Sequence, residues 1–161
     1  MSEPVLPAHR PPEPAQLGAT VHTFLFDRAK TRVWLLLRAN TGSFDGHWGL
    51  PAGRLDAGES ARAGACREAA EEAGIAVRPD DLKGPYVLHD IDARGQRVRF
   101  YFSCDAWEGE PQNAEPHKCA GTGWFPVGTL PENVVPAVRS ALAAVLEGKA
   151  FGEAGFPPID A

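Results

Sequence analysis

The sequence predicts an α/β domain in which a mixed β-sheet carries helices packed against it. Three observations predict this. Apolar runs of strand length stand before a central helical pattern and again after it, and a second helical pattern comes near the end of the chain. The central helical pattern has a stripe of small residues, Ala65, Ala69 and Ala73, with Cys66 and Ala70 beside it, which lets a helix approach a sheet closely. Val98, Phe100, Phe102 and Cys104 alternate with Arg99, Tyr101, Ser103 and Asp105, the period of a half-buried strand.

Each element has a local reason. Residues 1–16 hold Pro4, Pro7, Pro11, Pro12 and Pro14, which bar a helix or central strand, so a disordered arm is expected. A folded domain is expected over residues 17–148. It starts with a hairpin of Val21 to Phe26 and Arg32 to Arg38 around Asp-Arg-Ala-Lys. Asn40 to His47 is a loop. Ser60 stands where an N-cap belongs, and Gly74 where a left-handed glycine ends a helix, so Ser60 to Ala73 reads as one helix. Tyr86 to Ile91 and Arg97 to Ala106 are strands around Ala93-Arg94-Gly95. A polar loop, Trp107 to Cys119, leads to a strand over Thr122 to Val127. Val135 to Leu146 is a helix with Val138, Leu142, Val145 and Leu146 as its apolar stripe. Residues 149–161 are Gly/Pro-rich and read as a partly loose tail.

Composition narrows the function. Hydrophobic residues make up 43% of the 161-residue chain, enough for one real core. The net charge of -5 offers no basic stripe for a nucleic-acid polymer, while a nucleotide arriving with a metal ion is compatible with it. Three cysteines without CxxC spacing fit a reducing cytoplasm. No apolar run approaches membrane-spanning length, and no hydrophobic secretion signal stands at the N-terminus.

The chemistry concentrates between Gly49 and Ile75. Gly49-Leu50-Pro51-Ala52-Gly53 is a loop whose backbone can approach a ligand closely. Glu59 follows, and then Arg67, Glu68, Glu71 and Glu72. At about 100° per residue, the last three carboxylates share a helix face roughly 100° wide. Such crowding repels itself, and a hard divalent cation with oxygen ligands relieves it.

Gly53, Glu59, Arg67, Glu68, Glu71, Glu72, Gly74 and Ile75 match the Nudix box, Gly-x5-Glu-x7-Arg-Glu-U-x-Glu-Glu-x-Gly-U, where U is a bulky aliphatic. Ala69, at the first U, is smaller than usual. The chain therefore resembles Nudix hydrolases of the MutT-like kind, from about Gly18 to about Leu146. The resemblance implies an α/β/α sandwich and Mg²⁺-dependent cleavage of a phosphoric anhydride, with Mn²⁺ as a substitute. It assigns metal binding to Glu68, Glu71 and Glu72 with a carbonyl of Ala52 or Gly53. It gives Glu59, Arg67 and Gly74 structural roles, with direct phosphate contact as a rival role for Arg67. The general base is a box glutamate, Glu68, or an acid from a later loop, Glu115. The segment Asn113-Ala114-Glu115-Pro116-His117-Lys118-Cys119 is similar to one in MutT-like nucleoside triphosphate hydrolases, and it favours a triphosphate (normal or damaged) over ADP-ribose, an NDP-sugar or another nucleoside diphosphate derivative. Phe44, His47 and Trp48 stand before the catalytic loop as candidates for holding the base, followed by Phe24, Tyr101 and Trp124. A non-catalytic nucleotide-binding regulatory module is the rival of another class, and it has no need of a complete acidic constellation. The expected partner is a small nucleotide, with no membrane, and the resemblance allows a homodimer.

Overall fold

A computed structural model describes residues 13–159 of the chain. Most of the Pro-rich arm, residues 1–12, lies outside the described residues. Strands β1 (Gly18–Phe26) and β2 (Arg32–Arg38) form the expected hairpin, closed by Asp27, whose carboxylate accepts from the Thr31 and Arg32 N–H groups. Two short strands, β3 (Trp48–Gly49) and β4 (Ala52–Arg54), come from the glycine-containing loop. Helix α1 (Ala61–Ala73) follows, then β5 (Lys83–Asp92), β6 (Gly95–Cys104), β7 (Cys119–Pro126), α2 (Pro136–Leu146) and β8 (Phe151–Ala154).

The eight strands described form one mixed sheet in the order β3-β2-β1-β6-β5-β8, with β4 paired to β1 and β7 to β2. β1 runs parallel to β6, and β8 parallel to β5. β1 meets β2 only near their shared turn, at Leu25↔Trp34 and Phe26↔Val33. Its other end takes β4 as partner, at Thr20↔Arg54, Val21↔Gly53 and His22↔Ala52. That split brings the glycine-containing loop onto the sheet beside α1.

The two helices cover opposite faces. Ala65, Ala69 and Ala73 of α1 are buried against Val21, Leu25, Trp34, Leu36 and Phe102. Val138, Ala141 and Leu142 of α2 are buried against Phe24, Leu35, Leu88 and Tyr101. The β6 alternation is thus covered on both sides rather than half-buried. The α2 stripe shifts too: Ala141 and Ala144 are inside, whereas Leu146 is 52% exposed. Ala70 faces solvent. Both α1 caps are as expected. Ser60 Oγ accepts from Ala63 N–H at 3.2 Å, and Gly74 adopts φ 66°.

The C-terminal tail departs from expectation. Phe151–Ala154 adds a parallel edge strand to β5, and Phe156 then packs on His89 with ring centroids 4.6 Å apart. Gly152 permits this approach, since a Cβ there would sit 2.2 Å from the Tyr86 hydroxyl. The signal is four residues long and lacks alternation, so periodicity cannot reveal it. No helix among the described residues is long and apolar enough to cross a membrane.

Candidate active site

α1 presents its acids to β4. A Cβ at Gly53 would lie 1.9 Å from Glu68 Oε1, so the absence of a side chain there is what seats this carboxylate. Glu72 Oε2 accepts from the Ala52 N–H at 3.0 Å. Burial pushes the Glu72 carboxyl up to about 8, and the charges of Glu68 and Glu115 add to the effect. Burial also raises Glu68, against the opposing pull of Arg67. Glu71 is the outermost of the three, with its side chain 48% exposed.

Arg67 organises the cluster. Its Nε and Nη2 form a fork to the two oxygens of Glu59 at 2.8 and 2.9 Å. Nη1 donates to Glu68 Oε1 at 2.7 Å and to Glu71 Oε2 at 3.3 Å, and Nη2 reaches the Arg54 carbonyl at 3.0 Å. Five N–H donors therefore meet five protein acceptors. No donor is left for a phosphate, which favours the structural role over the rival one. Arg67→Lys keeps the charge and loses the fork. The expected result is a lower melting temperature and a turnover about 10- to 100-fold down, the range for residues that orient metal-site carboxylates. Unchanged turnover would remove Arg67 from that role.

The carboxylates fit a hard divalent cation: oxygen donors of high negative charge, half-buried, beside a loop without side-chain bulk. Among the described residues, no group of three acidic, histidine or cysteine side chains already converges as a coordination shell. The acids are instead held apart by Arg67 and the Ala52 N–H.

Two cavities flank β4. The first, about 280 Å³, is lined by Glu72, Glu115, Arg38, Asn40 and Lys118 with Ala52. Its far wall is the loop after Trp107, tied to the end of α1 by Gln112 N–H to Ala73 O and Ala114 N–H to Glu72 O. The Asn113 amide then bonds the Cys119 carbonyl at 2.8 Å, and Asn40 bonds the His117 carbonyl at 3.1 Å. These bonds set Glu115 opposite Glu72. The two base candidates thus stand around one acidic cluster, Glu68 bonded to Arg67 and Glu115 lining open space.

The second cavity, about 400 Å³, lies on the α2 side. His22 and Thr20 form its floor, and His22 stacks on Tyr101 with centroids 4.5 Å apart. Burial, with the charges of Arg99 and Arg38, pushes His22 down to about 3, so the ring is neutral at ordinary pH. Asp90 accepts a fork from Arg99 at 2.9 Å on both oxygens. Phe44 overhangs the mouth, 46% exposed and at φ 51°, a conformation that costs a bulky residue energy and persists where the surroundings impose it.

The expected base-holding residues thus separate. Phe44 lines the cavity and His47 sits edge-on to it at 5.7 Å. Trp48 does not line it: the indole packs edge-on against Phe125 at 4.7 Å, in the core beneath α2. Phe24 and Tyr101 are core, and Trp124 stacks on Trp107 at 6.3 Å. Arg38, Arg54, His22 and Arg99 line the cavities without having been singled out. The signal for Arg38 was available, as a cation ending an apolar strand before the loop.

The family model described as NUDIX domain matches residues 16–145. A MutT NUDIX hydrolase structure from Burkholderia pseudomallei superposes with TM-score 0.72 at 31% identity, covering 81% of this chain and 98% of that one. An RNA pyrophosphohydrolase of Rhizobium meliloti is 34% identical over 71% of this chain and 82% of its own length. A protein of Mycobacterium tuberculosis named as a candidate 8-oxo-dGTP diphosphatase is 36% identical over 65% of this chain and 74% of its own. An ADP-ribose pyrophosphatase of Methanocaldococcus jannaschii is 31% identical over 61% of this chain, which spans only 57% of that relative.

Proposed function

Because the chain belongs to the Nudix family and is a hydrolase of phosphoric anhydride bonds, we propose that it cleaves a nucleoside triphosphate to the monophosphate and pyrophosphate with the help of Mg²⁺. The observation that carries this reading is the row of Glu68, Glu71 and Glu72 against side-chain-free Gly53, with Glu115 across an open cavity. The name of the mycobacterial relative supports a triphosphate, and the names of the archaeal and rhizobial relatives keep ADP-ribose and RNA ends in the test panel.

Glu68, Glu71 and Glu72, with the Ala52 or Gly53 carbonyl, would hold the cation. Bound there, it supplies charge neutralisation for the phosphates and acidifies water. The rest falls to side chains. Arg38, lining both cavities, and Arg54 orient the polyphosphate across β4. Glu115 takes the proton from the attacking water, since its carboxylate lines open space whereas Glu68 is tied to Arg67. Phe44 stacks on the base over the neutral His22 floor.

The test is pyrophosphate and phosphate release with Mg²⁺ over normal and oxidised (d)NTPs, ADP-ribose, NDP-sugars and 5′-triphosphorylated dinucleotides. Pyrophosphate from a triphosphate, lowered about 10²-fold or more in Glu71→Gln, is expected. Near-normal turnover of that variant at saturating Mg²⁺ overturns the metal assignment, and turnover of ADP-ribose alone overturns the substrate class.

A further inference from the structure

We propose that Arg94 and Ser43 form a second phosphate position in the α2-side cavity, one that takes a phosphate on the 3′ side of the sugar. This inference rests on the triphosphate reading and extends it. The preferred substrate is then a nucleotide with phosphate at both ends: a 3′-phosphorylated nucleoside 5′-triphosphate, or the 5′-triphosphate end of an oligoribonucleotide.

The argument starts from where charge is and is not balanced. Going out from β4, the cavity floor crosses β1 and reaches β6 and then β5. At about 4.8 Å between strands, β6 and β5 stand roughly 10 and 14 Å from β4. Arg54 lies at the β4 end, where the polyphosphate belongs. Between the ends the cations are neutralised, Arg99 by Asp90 and Arg97 by Asp92. At the far end, the tip of the β5–β6 hairpin, the Arg94 guanidinium has no carboxylate within 4.0 Å among the described residues.

Arg94 is not a loose surface side chain. Its backbone N–H is held by Asp92 Oδ1 at 2.7 Å, which fixes the turn. Its guanidinium spans the cavity mouth to Ser43 Oγ, 51 residues away, at 3.0 Å. Ser43 sits on a braced loop. Its carbonyl accepts from Arg38 Nε at 2.8 Å and from the Thr41 hydroxyl at 2.9 Å, and Asp45 closes the loop through the N–H groups of Thr41 and Gly42. A guanidinium whose acceptor is one neutral hydroxyl keeps most of its donors and all of its charge. Guanidinium plus hydroxyl is a phosphate-binding pair, and an oxyanion is a stronger partner for it than the hydroxyl alone. In a chain of net charge -5, a pre-positioned guanidinium without an ion-pair partner among the described residues, at the mouth of the substrate cavity, calls for an anion from the substrate.

The test separates this inference from the reading beneath it. Affinities of the full chain for nucleoside 3′,5′-bisphosphates and for 5′-monophosphates, in all four bases, are measured by calorimetry, which needs no turnover. The bisphosphate is expected to bind about tenfold tighter. That ratio is expected to fall toward one in Arg94→Gln, to be partly kept in Arg94→Lys, and to shrink with added salt. Equal wild-type affinities, or a ratio unchanged in Arg94→Gln with an unchanged melting temperature, overturn the second position. Pyrophosphate release is then compared for NTP, 3′-phospho-NTP and pppNpN. Preference for the dinucleotide identifies an RNA end and preference for the 3′-phospho-NTP a small molecule, and both support the inference. Turnover of all three alike overturns it and leaves the proposed function standing. No turnover of any, with the affinity ratio intact, fails the proposed function and leaves the second position standing.

Discussion

Gly53→Ala is expected to lower turnover by about 10²-fold or more while the protein stays folded. The new Cβ would fall 1.9 Å from Glu68 Oε1 and 2.2 Å from Cδ, distances that real atoms do not adopt, so something must move. The movable group is the end of the Glu68 side chain, since Gly53 itself is pinned by pairing with Val21 of β1. Swinging Glu68 away removes one of the three carboxylates proposed to hold the cation and strips Arg67 of its 2.7 Å partner. The stability cost is small by comparison, about 1–2 kcal/mol for one charge-assisted bond in a half-open site. Gly53 is not among the glycines with positive φ, so alanine meets no backbone strain and the effect isolates the steric clash. Gly128→Ala is the matched control, because a Cβ there meets nothing within 4 Å. Turnover near wild type in Gly53→Ala, at saturating Mg²⁺, would falsify the role given to this close approach.

Much of this site was legible in the sequence because its constraints are local. Ser60, Gly74 and the alanines of α1 announce a helix with two ends and one packing face, and helical geometry then puts the acids together. Gly53 and Arg67 stand at box positions whose physical reasons are a close approach and a fork. What was not legible depends on which strand lies beside which. β3 and β4 are two and three residues long and carry no alternation, yet β4 decides where the acids face. Trp48 looked like a base-holding residue from its place before the loop, and the β2–β3 pairing turns it toward Phe125 instead. The cavity floor joins His22, Arg99 and Asp90 from three strands, so nothing short of the parallel β1–β6 register could reveal it. The same holds for the contact of Arg94 with Ser43, set by a hairpin tip reaching a distant loop.

Glu72→Gln is expected to move stability and activity in opposite directions. The amide keeps the shape and can still accept from the Ala52 N–H, but it never ionises. In the folded metal-free protein the carboxyl titrates near 8, against an ordinary value of 4.5, because it is buried beside Glu68 and Glu115. Between these values the folded chain holds a proton that the unfolded chain has released. Stability from the neutral form is therefore fully present below about pH 4.5 and is lost as pH rises through about 8. Glutamine removes that loss, so the variant should gain on wild type as pH rises, by roughly 3 kcal/mol near pH 8.5, allowing for partial solvation. The checks are melting curves of both proteins from pH 5 to 8.5 in chelator, and again with Mg²⁺. A cation that binds these acids stabilises wild type at pH 8 by mass action and narrows the gap. Turnover of the variant should fall about 10²-fold or more, through the lost oxygen anion. Parallel pH curves for the two proteins would mean that Glu72 ionises in the folded state as freely as in water, and the repulsion that asks for a cation would then lie with Glu68 and Glu71 alone. Diverging curves that Mg²⁺ closes would tie the instability of the acidic row to its use: the carboxylate that weakens the empty fold is the one that recruits the metal.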